Sequence, residues 1–122
     1  MYFSKTVMLS LLATTTMFAG CASNYELRSG SPFKTYQSKK TARDLSACVA
    51  DEWEKQSSHF TVSSRHTEKG YVVSLSEDVL GSKNSVYLAE VDDINGGSKV
   101  SLFKGTIVEL KNLYESGVAR CI

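Results

Sequence analysis

Proline and tryptophan occur once each in these 122 residues, histidine twice and cysteine three times. Each scarcity closes a class of function. A zinc site draws on closely spaced ligands, such as His-x3-His or paired cysteines. Here His59 and His66 stand seven apart and the cysteines are scattered, so neither a metal nor another cofactor is expected. A glycine-rich phosphate loop, a dinucleotide fingerprint and a basic-aromatic RNA motif are all missing. Charge of one sign is lacking too. Fourteen basic and 13 acidic residues leave a net charge of +1, which gives no reason to expect a nucleic-acid partner. Long apolar runs are also lacking. The longest is Thr6–Phe18, thinned by Thr14-Thr15-Thr16, and a membrane-spanning helix needs roughly 20 apolar residues.

What that short run does suit is export. Lys5 is the only charge ahead of it, and about 13 apolar or hydroxylated residues follow, within the 7–15 of a secretory signal. Phe18-Ala19-Gly20-Cys21 closes the run. This stretch resembles the lipobox of bacterial lipoproteins, which reads aliphatic, small, small, Cys, with Phe18 standing where Leu is usual. The resemblance implies that residues 1–20 are a lipoprotein signal peptide. It implies that the Cys21 thiol takes a diacylglyceryl group, that the chain is cut before Cys21, and that the new amine takes a further acyl chain such as palmitate. Each buried methylene of such chains contributes about 0.8 kcal/mol, and several chains together anchor stably. Ala22 is not the Asp that favours inner-membrane retention, so the resemblance points to the periplasmic face of the outer membrane.

Without Lys5 the charges balance at 13 and 13. The remaining 102 residues suffice for one small domain. Residues 21–40 hold serine, glycine, the lone Pro32 and an excess of Arg28, Lys34, Lys39 and Lys40 over Glu26. Without periodicity they read as a flexible basic tether, with Tyr25, Phe33 and Tyr36 as aromatics able to dock on the domain. The domain is expected over 41–122. Thr41 precedes a helix to about Gln56, with Ala42, Leu45, Cys48, Val49 and Trp53 on one stripe and Asp51–Lys55 as an i,i+4 pair. Period-two alternation then marks four strands around Phe60–Ser63, Tyr71–Ser76, Val86–Val91 and Lys99–Phe103, separated by Glu68-Lys69-Gly70, Gly81-Ser82-Lys83-Asn84 and Asn95-Gly96-Gly97. A capping box at Thr106–Glu109 opens a last helix, its stripe Ile107, Leu110, Leu113, Tyr114, Val118 and Cys121, interrupted by Gly117. The expected fold is α+β and two-layered: an N-terminal helix, a four-stranded antiparallel meander and a C-terminal helix, both helices on one face of the sheet. In layout this domain is similar to small proteobacterial lipoproteins, through Cys48, Trp53-Glu54 and Cys121, a likeness that implies no activity.

Several residues invite chemistry and answer better to structure. Ser63 and Ser64 near the histidines lack a Gly-x-Ser-x-Gly elbow and an orienting acid. Asp92-Asp93-Ile94-Asn95-Gly96 fails as a calcium loop, because Val91 and Leu102 would fall at ligating positions. Asp51, Glu52 and Glu54 suit a solvated helix face, and Trp53 suits the core. Lipidation accounts for one of three cysteines, and an oxidising compartment lets Cys48 pair with Cys121. A loop of roughly 74 residues closed in this way stabilises by about 4 kcal/mol in the chain-entropy model. The chain is therefore expected to be a non-enzymatic binding or structural accessory module of the envelope, held by its lipid and meeting an envelope protein. The alternative is an inhibitor or immunity protein against a periplasmic hydrolase or toxin.

Overall fold

The computed structural model describes residues 24–56, 59–105 and 113–122. The lipobox, Ser57-Ser58 and the capping box at Thr106–Glu109 lie outside them. In chain order the elements are α1 (Asn24–Ser29), β1 (Lys34–Ser38), α2 (Ala42–Gln56), β2 (Thr61–His66), β3 (Gly70–Val79), β4 (Ser82–Ile94), β5 (Gly97–Lys104) and α3 (Leu113–Cys121). The strands form one antiparallel sheet in the order β1-β5-β4-β3-β2.

Two features correct the expected architecture. The sheet has five strands among the described residues, not four, and α1 lies across β4 and β5 on the face opposite α2. Both extra elements fall in the stretch read as a tether. The strand β1 is Lys-Thr-Tyr-Gln-Ser, and Tyr36 is its only apolar residue. One apolar side chain cannot show a period, so the strand was invisible to pattern. Pairing across β5, from Lys34↔Leu102 to Ser38↔Ser98, forms it. Counted through antiparallel neighbours, the edge strands β1 and β2 run the same way. The helix α2 links them by crossing the sheet.

The helix α2 starts where Thr41 predicts. The Thr41 hydroxyl accepts from the Asp44 amide at 3.2 Å, and its carbonyl accepts from Leu45. A second cap comes from near the end of β4: Asp93 Oδ1 accepts from the Ala42 amide at 3.1 Å. Negative charge at a helix N-terminus opposes the positive end of the dipole. The stripe Ala42, Leu45, Val49 and Trp53 is fully buried on Val73, Leu75, Ala89, Val91, Val100 and Leu102. Each of the leucines and valines among them, withdrawn from water, contributes roughly 1.5–3 kcal/mol.

The shorter helix α3 packs on α2. Trp53 is the pivot: its Nε1 donates to the Tyr114 carbonyl at 3.0 Å, and its ring meets Tyr87 and Tyr114 edge-on. Gly117 explains its own place in the stripe. A Cβ there would stand 3.3 Å from Glu52 Cβ and 3.5 Å from Trp53 Cδ1, so the two helices approach closely. Cys48 and Cys121 form a disulfide with Cα atoms 5.8 Å apart, 73 residues apart in sequence. Lys55 pairs with Glu52 at 3.4 Å rather than with Asp51, one turn position away from the expected partner.

The sheet's third surprise is the hairpin of β3 and β4. Of Gly81-Ser82-Lys83-Asn84, read as a loop, only Gly81 lies in the turn, and the other three begin β4. Val79 pairs with Ser82 across Leu80-Gly81, both at positive φ, 50° and 81°. Glycine suits that turn, but a leucine in left-handed backbone costs about 1 kcal/mol.

Candidate functional site

The face that α2 leaves free is the chemically varied one. The register places Ser63 and Arg65 of β2, Val72 and Ser74 of β3, Leu88, Glu90 and Asp92 of β4, and Lys99, Ser101 and Phe103 of β5 on it. Its apolar centre is small: Val72, Leu88 and Phe103, covered by Leu27 of α1. Beside this patch Arg28 Nε donates to Glu90 Oε2 at 3.0 Å, the next residue of α1 thus being tied to the middle of the sheet.

Around that ion pair opens a cleft of about 490 Å³, lined by Arg28, Arg65, His66, Thr67, Glu68, Lys69 and Glu90. The turn between β2 and β3 forms one wall. Thr67 holds it closed by accepting from and donating to Gly70, and Asp93 donates its amide to the Lys69 carbonyl. Arg65 and Lys69 form no ion pair among the described residues. Asp92 stands close by with a buried Oδ1 that has no hydrogen-bond partner. Burial pushes its carboxyl above the usual range, and Glu90 adds to this, while Lys69, Arg28 and Lys99 oppose it. Cations and carboxylates from α1, β2, the turn and β4 thus meet in one concave place, a surface fitted to polar, charged ligands.

A smaller cleft of about 250 Å³ lies on the helix-covered side, lined by Lys34, Tyr36, Glu115, Ser116 and Ala119. Lys34 Nζ donates to Glu115 Oε1 at 2.5 Å. That bond raises the lysine's pKa and lowers the glutamate's. The pair clamps β1 to α3.

The residues singled out from sequence are dispersed. His59 is exposed, and His66 is exposed at the end of β2 with its ring 4.9 Å from Tyr71. The Ser63 hydroxyl lies 2.7 Å from that of Ser74, and Ser64 belongs to the opposite face. Asp92 faces the cleft side while Asp93 caps α2, so the two acids part company. Asp51 and Glu54 are exposed; Glu52 receives Arg120 at 2.9 Å and joins α2 to α3. Among the described residues no group of three His, Cys, Asp or Glu side chains gathers to hold a metal, and no helix is long and apolar enough to cross a membrane. Cys21 lies outside the described residues. The convergence of Arg28, Arg65, Lys69 and Glu90 was missed. Its only sequence signal was Glu90 and Asp92 alternating with Val91, the mark of a strand with a polar second face.

Compared with protein families, with curated proteins and with solved structures, the chain matches none.

Proposed function

We propose that the chain is a periplasm-facing lipoprotein, anchored at the outer membrane through Cys21 and working as a binding or structural accessory module without catalysis of its own. One observation carries the reading. The bond between Cys48 and Cys121 accounts for both cysteines of the domain. Cys21 is then the single odd thiol, placed directly after an apolar run and two small residues. A structural disulfide also suits an oxidising, exported setting.

The polar residues that invite catalysis have structural employment, which favours binding over chemistry. Ser63 is bonded to Ser74, Asp93 to the α2 amide and Glu52 to Arg120. The described fold begins at Asn24, three residues past Cys21. Three extended residues span at most about 11 Å, so a lipid on Cys21 holds the face bearing α1 and the charged cleft close to the membrane. The inhibitor or immunity reading draws on one feature, the projecting hairpin of β3 and β4, since a convex tip fits an enzyme's cleft.

The test is Cys21→Ser in intact cells. Lipid labelling is lost and the protein moves from the outer-membrane fraction to the soluble periplasm. If the serine variant stays membrane-bound after a high-salt wash, which screens surface charge, the anchor reading fails.

A further inference from the structure

The hairpin of β3 and β4 outruns its neighbours. Pairing with β2 stops at Thr61↔Ser76, and pairing with β5 stops at Tyr87↔Lys104. Beyond those rows Glu77↔Asn84, Asp78↔Lys83 and Val79↔Ser82 pair only with each other among the described residues. With its turn, this ribbon reaches about 13 Å past the flanking strands at roughly 3.4 Å per residue. A bulge marks its root: Leu75 faces Tyr87 and Ser76 faces Ser85, leaving Val86 as the extra residue. Bulges bend and twist a strand and so aim what lies beyond them.

At the tip stands Leu80, 102 % exposed, where the other exposed large apolar residues among those described range from 38 % to 52 %. Its backbone is left-handed, and a Cβ built on Gly81 meets nothing within 4 Å. The fold gains nothing from a leucine here and would gain from asparagine, which tolerates that backbone. A strained residue in a protruding turn is the pattern of a recognition element.

We propose that this ribbon is a docking prong that seats Leu80 in an apolar socket of a second, different protein. The proposal deepens the reading of the chain as a binding module and is independent of the lipid. Shape and chemistry narrow the occupant. A convex tip needs a concave site. Both clefts described above are lined by charged and polar groups such as Arg65, Lys69, Lys34 and Glu115, so neither of them suits the leucine of a second copy. A bilayer is a poor host as well. The tip carries one exposed leucine beside Glu77, Asp78 and Lys83, and turn backbone in hydrocarbon leaves its polar groups unsatisfied. On a protein, the open edges of the ribbon can pair with backbone while the leucine fills the socket.

A photo-crosslinking amino acid placed at position 80 of the full chain, in living cells, tests the prong. Position 95, at the tip of the other long hairpin, serves as control. The expected result is one discrete protein adduct from position 80 and none from 95. With that protein purified, Leu80→Asn weakens binding at least about tenfold, Leu80→Met restores it, and Leu80→Asn melts no lower than the parent. Adducts to lipid or to the chain itself, equal labelling from position 95, no adduct, or equal affinity of Leu80→Asn would each overturn the proposal. Cys21→Ser leaves the purified interaction unchanged, so loss of the anchor and loss of the prong read separately.

Discussion

The two faces of the sheet are built to different standards. Under α2 and α3 lie Leu45, Val49, Trp53, Val73, Leu75, Val91, Val100, Leu102 and Val118, none with measurable exposure. Under α1 lie three buried residues and a half-buried Leu27, ringed by charge. The first face has two amphipathic helices, a disulfide between them and a tryptophan bonded at ring and nitrogen. The second has one six-residue helix. Stability is concentrated where the chain is apolar, which frees the other face to carry Arg28, Arg65, Lys69, Glu90 and Asp92.

The sharpest way to break this comparison is to remove one large side chain from each face. Trp53→Ala empties the centre of the first face and leaves the Tyr114 carbonyl without its donor. It should destabilise by about 5 kcal/mol, at the upper end for such a truncation, enough to leave a domain of this size barely folded. Leu27→Ala on the second face should cost only about 1–2 kcal/mol, since the leucine is half-exposed and water fills part of its place. Urea unfolding of both variants at neutral pH makes the measurement. Equal losses would mean that α1 is as deeply integrated as α2.

The same division explains what the sequence disclosed. Elements of the first face announce themselves, because a helix that buries Ala42, Leu45, Val49 and Trp53 must repeat them at its own period, and strands that bury Val73, Leu75, Val100 and Leu102 must alternate. Elements that bury little leave little trace. The strand β1 buries part of Tyr36 and is otherwise polar. The helix α1 contributes Leu27 to a patch of three. The outer half of the β3–β4 hairpin buries little, so Ser82, Lys83 and Asn84 read as loop. The charged cleft was illegible for a further reason. Arg28, Arg65 and Glu90 come from distant parts of the chain, and only the register of β2 on β3 and β3 on β4 brings them side by side. Asp93 is the same case in miniature: a hairpin acid by sequence, a helix cap by topology.

The smallest effect separates the faces by sign. On the first face, Arg120 holds the Glu52 carboxyl below its ordinary 4.5, as Lys34 does for Glu115. A carboxyl depressed on folding stabilises above its unfolded pKa, and that help is lost as pH falls through the lower, folded value. On the second face, burial and then Glu90 raise the Asp92 carboxyl above its ordinary 3.8. Below that value Asp92 is protonated in both states and costs nothing. Above the raised, folded value the native state must hold a poorly solvated charge, so stability is lower there. Asp92→Asn should therefore stabilise at pH 7, by no more than about 0.5 kcal/mol because water still screens the site, and the gain should vanish by about pH 3. Glu52→Gln should do the reverse, weakening the fold at pH 7 and converging on the parent in acid. Thermal melts of the two variants across pH 3–7 decide the matter. If Asp92→Asn gained as much at pH 3 as at pH 7, the benefit would belong to a new amide hydrogen bond at the orphaned Oδ1 position rather than to the removed charge, and the opposition between the faces would fall.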